Sequence, residues 1–372
     1  MIIGVPREIK SNENRVSVTP MGVEALEKNG HEVLVEADAG AQSGFSNEMY
    51  SSYGAEILDS PEEIFGEADM IVKVKEPQTP EISMIRENQI VFTYFHFAAS
   101  EELTTGFMDS GGIGVAYETV TETDGSLPLL VPMSEVAGRM AVQEGAKYLE
   151  RRMGGKGILL GGVPGVEPAV VTILGGGVVG TNSAKIAAGL GAKVYVLDID
   201  LERLRYLDDV MPKNVFTMYS NQHNIRKMLQ ISDLLIGAVL IPGAKAPHLV
   251  TRDMLKLMDS GTVIVDVAVD QGGCIETVKP TTHDDPIFEV EGVIHYCVAN
   301  MPGAVPNTST IALTNATLPY VVRIANRGIH ESLRSDEEIR TGLNVYKGKV
   351  THQGVAEAFN LDYTPVQDVM GE

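Results

Sequence analysis

Residues 169–180 read AVVTILGGGVVG, an apolar, β-branched run that passes directly into Gly175, Gly177 and Gly180 in the G-x-G-x-x-G pattern. A helix-compatible stretch follows. Gly175 permits a tight turn, Gly177 lets the backbone approach a pyrophosphate, and Gly180 lets the helix pack closely on the strand, with the helix N-terminus facing the phosphates. In a chain with 38 glycines the bare pattern arises by chance, so the surroundings carry the reading. The next strand candidate, AKVYVLD at 192–198, ends in Asp198, where a carboxylate can accept from a ribose 2′-hydroxyl. A 2′-phosphate would meet that negative charge, which favours NAD over NADP. Arg203 and Arg205 lie nearby and complicate the preference. Arg203 reads either as a contact to adenine or ribose or as an exposed arginine on the next helix, and the glycines read alternatively as mere helix-to-strand packing.

Further strand candidates follow at DLLIGAVL (233–240), GTVIVDVAVD (261–270) and GVIHYCVAN (292–300). These short, nearly continuous apolar runs suit parallel strands covered on both faces. Upstream, IIGVP at 2–6, a helix pattern over 19–30 and HEVLVE at 31–36 make a βαβ rhythm, in which Thr19 caps the helix, Pro20 suits its first turn and Asn29-Gly30 ends it. The rhythm continues through ADMIVKVKEP (68–77), NQIVFTYFHF (88–97) and GGIGVAYETV (111–120). A long helix is expected over 134–154, started by Ser134 and Glu135, and a second over 306–329, followed by an amphipathic tail. The expected fold is α/β with two doubly wound domains: a Rossmann NAD-binding domain over 131–305, and a discontinuous Rossmann-like substrate domain over 1–130 plus 306–372. Long helices join them.

The 372 residues exceed what one ordinary core organises, and a 44% hydrophobic, 21% charged composition is that of a folded globular chain. A formal net charge of −21 excludes a general nucleic-acid partner, because a duplex binder needs a basic footprint, and it disfavours anionic membranes. No apolar run reaches the roughly 18 residues of a membrane span, and the N-terminal run is too short for a signal peptide, so cytoplasm is the expected location. Two cysteines, Cys274 and Cys297, are too few for a disulfide framework or a cysteine-rich zinc site.

Ligands in open α/β sheets sit outside the carboxyl ends of strands. Four titratable residues fall there: Arg15 in the loop after the first strand, Lys75 ending IVKVKEP, His96 ending IVFTYFHF and Asp270 ending VIVDVAVD. An arginine fork suits a substrate carboxylate, a lysine polarises a carbonyl oxygen, and a histidine exchanges the proton that accompanies hydride loss. Together they match 2-oxo acid chemistry. Taken singly, Arg15 and Lys75 read equally as surface charges, His96 as a satisfied core histidine, and Asp270 as a helix cap or a partner for Lys75.

The segments IGVPREIKSNENRVSVTP, VKVKEP, FTYFHFAAS, LGGGVVGTNSAKIAAGLGAKVYVLD, VDVAVDQGG and VANMPGAVPNTST, in this order over essentially the full length, resemble the L-alanine dehydrogenase family. The N-terminal part of proton-translocating transhydrogenase shares this fold and some of these motifs. The resemblance implies an NAD-dependent oxidative deamination of L-alanine to pyruvate and ammonium, in a cleft between the domains that closes on cofactor and substrate. It implies that Arg15 and Lys75 bind substrate, that His96 is the general acid/base and that Asp270 assists proton transfer. Tyr94, Met133, Asn300 and Met301 would line the same cleft. Cofactor contacts are implied for Ser134, Val178, Val179, Asp198, Arg203 and Ser220. Further contacts are implied for Val239 and Leu240, for Val267, Ala268, Val269 and Asp270, for Val298, Ala299, Asn300 and Met301, and for Lys279 as a basic group toward the cofactor. Some members hold a metal near the long helices, but Arg327 stands where a histidine ligand opposite Glu118 would be, so no metal is expected. A homohexamer is implied. The rival readings are a soluble transhydrogenase subunit, a dehydrogenase of longer amino acids, and a nucleotide sensor without turnover.

Overall fold

A computed structural model describes residues 1–239 and 247–370. The chain forms two compact units, one of Met1–Met133 with Gly303–Glu372, the other of Ser134–Pro302. Each is a mixed α/β unit built on a mainly parallel sheet. No described helix is long and apolar enough to cross a membrane.

In the first unit the strands are β1 (Ile2–Val5), β2 (Glu32–Glu36), β3 (Glu56–Leu58), β4 (Met70–Val72), β5 (Ile90–Thr93) and β6 (Ile113–Ala116). They pair in parallel in the order β6-β5-β4-β1-β2-β3. Adjacent residues of β4 and β5 point into different cores: Met70, Val72, Ile90 and Phe92 into one, Ile71 and Val91 into the other. This two-sided burial explains why the strands read as unbroken apolar runs. The helix Pro20–Lys28 has Thr19 as its cap, whose hydroxyl accepts from Gly22 N–H at 3.3 Å, and it ends at Asn29.

The strands of the second unit are β7 (Val170–Leu174), β8 (Lys193–Asp198), β9 (Val215–Tyr219), β10 (Leu234–Gly237), β11 (Val263–Asp266), β12 (Ile287–Val290) and β13 (Val293–Tyr296). Their order is β12-β13-β11-β10-β7-β8-β9, with only β12 antiparallel. The strand order reverses beside β7, so the turn after it opens at the switch point of the sheet.

Some expectations need correction. The first long helix begins at Val131, one turn before Ser134. Pro132 fits that first turn because its missing N–H belongs to a position without an intrahelical partner. The second long helix, Pro306–Arg327, falls wholly within the first unit, and the chain returns there through the short turn Met301–Ala304. The tail adds two antiparallel strands, β14 (Leu343–Tyr346) and β15 (Lys349–Val350), to the edge beyond β6. Strands β3, β9 and β12 are half-exposed edge elements without a long apolar run, and for that reason periodicity did not mark them.

Candidate functional site

The glycine turn of the second unit links β7 to the helix Val178–Gly189. Gly175 has φ +102°, and a Cβ there would lie 2.7 Å from the carbonyl oxygen of Ala238. At Gly180 a Cβ would lie 1.9 Å from the Gly175 carbonyl oxygen, closer than any real contact. Gly177 differs: it is exposed, a Cβ would meet nothing within 4 Å, and no side chain caps the helix that it begins. Its open N-terminus is the kind that accommodates an anion. Asp198, the last residue of β8, accepts from Gly176 N–H at 2.6 Å and from Asp200 N–H at 2.9 Å. Each oxygen keeps a further lone pair, which leaves acceptor capacity for a ribose hydroxyl. Arg203 is not a solvent arginine: its Nε donates to Gly176 O at 2.5 Å and its Nη2 to Thr181 Oγ1 at 2.6 Å. Arg205 is exposed and pairs with Glu202.

Most of the other expected cofactor residues of this unit follow the carboxyl ends of strands of the same sheet. Val178 and Val179 open the helix, and Ser220, Val239, Val267 and Val298 come just past β9, β10, β11 and β13. Ala268, Val269 and Asp270 continue after β11; Ala299, Asn300 and Met301 continue after β13. Asn300 takes φ +60°, and its carbonyl lies 3.2 Å from His283 Nε2. Ser134 sits in the first long helix. Lys279 is exposed, with its ammonium 4.8 Å from the ring centroid of Phe288. Leu240 lies outside the described residues.

Asp270 is exposed in the turn Val269–Gln271 and is not its cap. The residue that organises this turn is Asp266, fully buried at the end of β11. Its carboxylate accepts from Ala268 N–H at 2.9 Å, Cys274 N–H at 2.9 Å and Ile275 N–H at 3.2 Å. Burial pushes its carboxyl up to about 6, and those three hydrogen bonds only partly offset the burial.

In the first unit Arg15 lies in the loop after β1 and is buried, so the surface-charge reading fails. Glu13 grips it from two sides, accepting from Nε at 2.6 Å and from Nη2 at 2.5 Å, while Nη1 points at Met133 Sδ at 2.9 Å. Burial works against the Glu13 charge, but the Arg15 bonds outweigh it and hold the carboxyl down at about 2. Lys75 follows β4 and is half-buried; desolvation, then the Arg15 charge, push its ammonium below the ordinary lysine range. Beneath it lies a fully buried cluster: Lys73 Nζ is 3.2 Å from Glu8 Oε2 and 2.7 Å from Glu81 Oε1. Glu8 Oε1 also accepts from Val74 N–H at 2.6 Å, which ties the strand end that carries Lys75. Tyr94 is buried and donates to the Leu129 carbonyl.

His96 follows β5, and its side chain is exposed rather than sunk in a core. Its ring stacks parallel to Tyr94, with centroids 6.0 Å apart, and its backbone is left-handed at φ +51°. Arg15, Lys75 and His96 therefore emerge from carboxyl ends of parallel strands of one sheet. Among the described residues no group of three or more His, Cys, Asp or Glu side chains is placed to hold a metal ion. Arg327 lies 3.6 Å from Asp336.

Two family models cover nearly all of the chain. Residues 4–137 match the alanine dehydrogenase/PNT N-terminal domain, and residues 141–353 match the alanine dehydrogenase/PNT C-terminal domain. The chain belongs to the alanine dehydrogenase/PNT family. Within it, the chain is 56% identical over 373 residues to an alanine dehydrogenase of Methanococcus maripaludis and 55% identical over 373 residues to one of Staphylococcus haemolyticus, each covered end to end. A solved L-alanine dehydrogenase superposes with TM-score 0.94 at 50% identity, over 97% of this chain and 99% of that one. A transhydrogenase from Sinorhizobium meliloti shares the fold at TM-score 0.83 and 24% identity, over 94% of this chain and 100% of that one. In this family member two apolar runs hold an inner charge as well as the outer candidates Lys75 and Asp270. Lys73 in IVKVKEP and Asp266 in VIVDVAVD carried a signal, since a charge inside a buried run must have a partner. Glu13 and Glu8 carried none, because their partners are set by the fold.

Proposed function

We infer that this family member is an NAD-dependent L-alanine dehydrogenase, catalysing the reversible oxidative deamination of L-alanine to pyruvate and ammonium. The observation that carries the reading is end-to-end identity of 55–56% to alanine dehydrogenases, in a chain whose Arg15, Lys75 and His96 follow the carboxyl ends of parallel strands of one sheet. NAD, when bound, accepts the hydride from the substrate Cα. The open Gly177 turn suits its pyrophosphate, and Asp198 suits an unphosphorylated ribose, which is the support for NAD over NADP. Arg15, oriented by Glu13, would hold the substrate carboxylate with its Nη1 edge. Lys75, whose half-buried and arginine-flanked ammonium gives up its proton more readily than usual, would hydrogen-bond the carbonyl oxygen of pyruvate or the hydroxyl oxygen of the carbinolamine. His96, exposed and in reach of solvent, would take the proton released as water adds to the imine, and Asp270 would assist that transfer. A cytoplasmic setting belongs to the same reading and is checked by cell fractionation. The homohexamer implied by the resemblance is checked by sedimentation.

The deciding experiment follows NADH absorbance when the protein meets NAD with L-alanine, serine, glutamate or lysine, and repeats the alanine assay with NADP. Alanine-dependent NADH formation that NADP does not support is the expected result. Preference for a longer amino acid would move the substrate assignment. Hydride exchange between NADH and NADP without amino-acid turnover would favour the transhydrogenase reading. His96→Ala should lower kcat strongly and leave NADH binding intact; unchanged turnover would remove His96 from the mechanism.

A further inference from the structure

We propose that Glu118 is a positioning residue that holds His96 in its working conformation by gripping the backbone of the turn that carries it. The proposal rests on the reading of His96 as the general acid/base. Glu118 stands just past β6, in the short turn Tyr117–Thr119. Its two carboxylate oxygens accept from consecutive backbone amides: Oε1 from His96 N–H at 2.6 Å, Oε2 from Phe95 N–H at 3.2 Å. Two adjacent N–H groups that converge at a turn favour an anionic acceptor, and a carboxylate makes charge-assisted bonds to both.

The turn has reason to need holding. His96 takes φ +51° and ψ +41°, a left-handed conformation that residues with a Cβ rarely adopt. The conformation has a geometric use. Phe95 and Phe97 on either side are buried, stack on one another at 4.2 Å and both meet Phe107, while the residue between them is exposed. The left-handed residue thus turns one imidazole outward between two anchored rings. The platform for Glu118 is equally fixed, because Tyr117 is buried and meets Phe92 at 4.4 Å and Tyr94 at 5.0 Å, edge to face. Tyr94 in turn stacks on the His96 ring. Glu118 therefore ties the backbone of His96 to the same aromatic group that its side chain lies against. The carboxylate also acts on half-buried His352, partly countering the fall that desolvation imposes on that imidazole.

A clamp that acts through His96 differs from a simple turn cap in what its loss does. The experiment compares Glu118→Ala, Glu118→Gln, His96→Ala and the Glu118→Ala/His96→Ala double variant, using alanine oxidation, NADH titration and amide hydrogen exchange of the peptide containing Phe95 and His96. Glu118→Ala should lower kcat roughly tenfold to a hundredfold, the equivalent of the strain of one left-handed residue, and should speed exchange of that peptide. The KM for alanine and the NADH dissociation constant should stay within about twofold of wild type. Glu118→Gln keeps one acceptor and should fall between, and it serves if the alanine variant does not fold. In the His96→Ala background, removing Glu118 should cost less than about twofold more. Unchanged kcat in Glu118→Ala, or an equal loss with and without His96, would overturn the proposal. If wild type does not oxidise alanine, or His96→Ala is fully active, the functional reading has failed, and the exchange measurement alone then decides whether Glu118 holds the turn.

Discussion

Asp266→Asn isolates the cost of burying a carboxylate where it organises the turn of Asp270. Asp266 is fully buried, and its carboxyl rises from the ordinary 3.8 to about 6 because burial outweighs its three backbone hydrogen bonds. With the folded value above the unfolded one, the native state holds more protons than the unfolded state between those two values. Stability from this group therefore falls as pH rises through that window, and the penalty is complete above about pH 6. A rise of about two pH units corresponds to about 3 kcal/mol, of which about 2 kcal/mol develops between about pH 4.5 and about pH 8. Asparagine has the same shape and is neutral throughout. Its amide nitrogen, set against one backbone N–H, adds an offset that does not vary with pH. The stability of Asp266→Asn relative to wild type should thus improve by about 2 kcal/mol across that interval, whatever its absolute sign. Urea unfolding followed by far-ultraviolet circular dichroism at several pH values measures it, since the chain has no tryptophan to serve as a probe. A relative stability that stays flat or declines over the interval would refute the argument.

The glycine turn separates fold from ligand. Gly180→Ala puts a Cβ 1.9 Å from a backbone oxygen and should cost about 1–3 kcal/mol in urea unfolding as well as NADH affinity. Gly177→Ala has open space, so it should hold its unfolding free energy to within about 1 kcal/mol and still weaken NADH in a fluorescence titration. Glu13→Gln should raise the KM for pyruvate about tenfold with little change in NADH affinity, because it loosens the grip on the Arg15 fork; an unaltered KM would separate Glu13 from substrate capture. Lys73→Met leaves Glu8 and Glu81 buried without their cation and should cost about 3–5 kcal/mol, and Glu8→Gln with Glu81→Gln in the same chain should recover much of it. Failure of the triple variant to recover would show that Lys73 matters through packing instead.

Legibility was uneven for physical reasons. The βα rhythm, the glycine turn, the Thr19 cap and most central strands were readable because they rest on local pattern: apolar runs, caps and glycines at fixed offsets. Half-exposed edges such as β9 and β12 were not, since their stability comes from pairing with a neighbour rather than from a run of their own. His96 illustrates the mixed case. An imidazole in an aromatic run reads as core, yet one left-handed residue between two buried phenylalanines turns it outward.

By itself the sequence determined the α/β class, the glycine-rich turn after β7 and the candidate residues Arg15, Lys75, His96 and Asp270, because short-range pattern is enough to bring each to a strand end. Only the tertiary structure decided what surrounds them. Glu13 on Arg15, Glu8 and Glu81 on Lys73, Glu118 under His96 and Asp266 behind Asp270 are all charges whose meaning depends on a partner. A buried charge is tolerated only where the fold supplies that partner, and for Glu8 and Glu118 the partners lie more than 20 residues away along the chain.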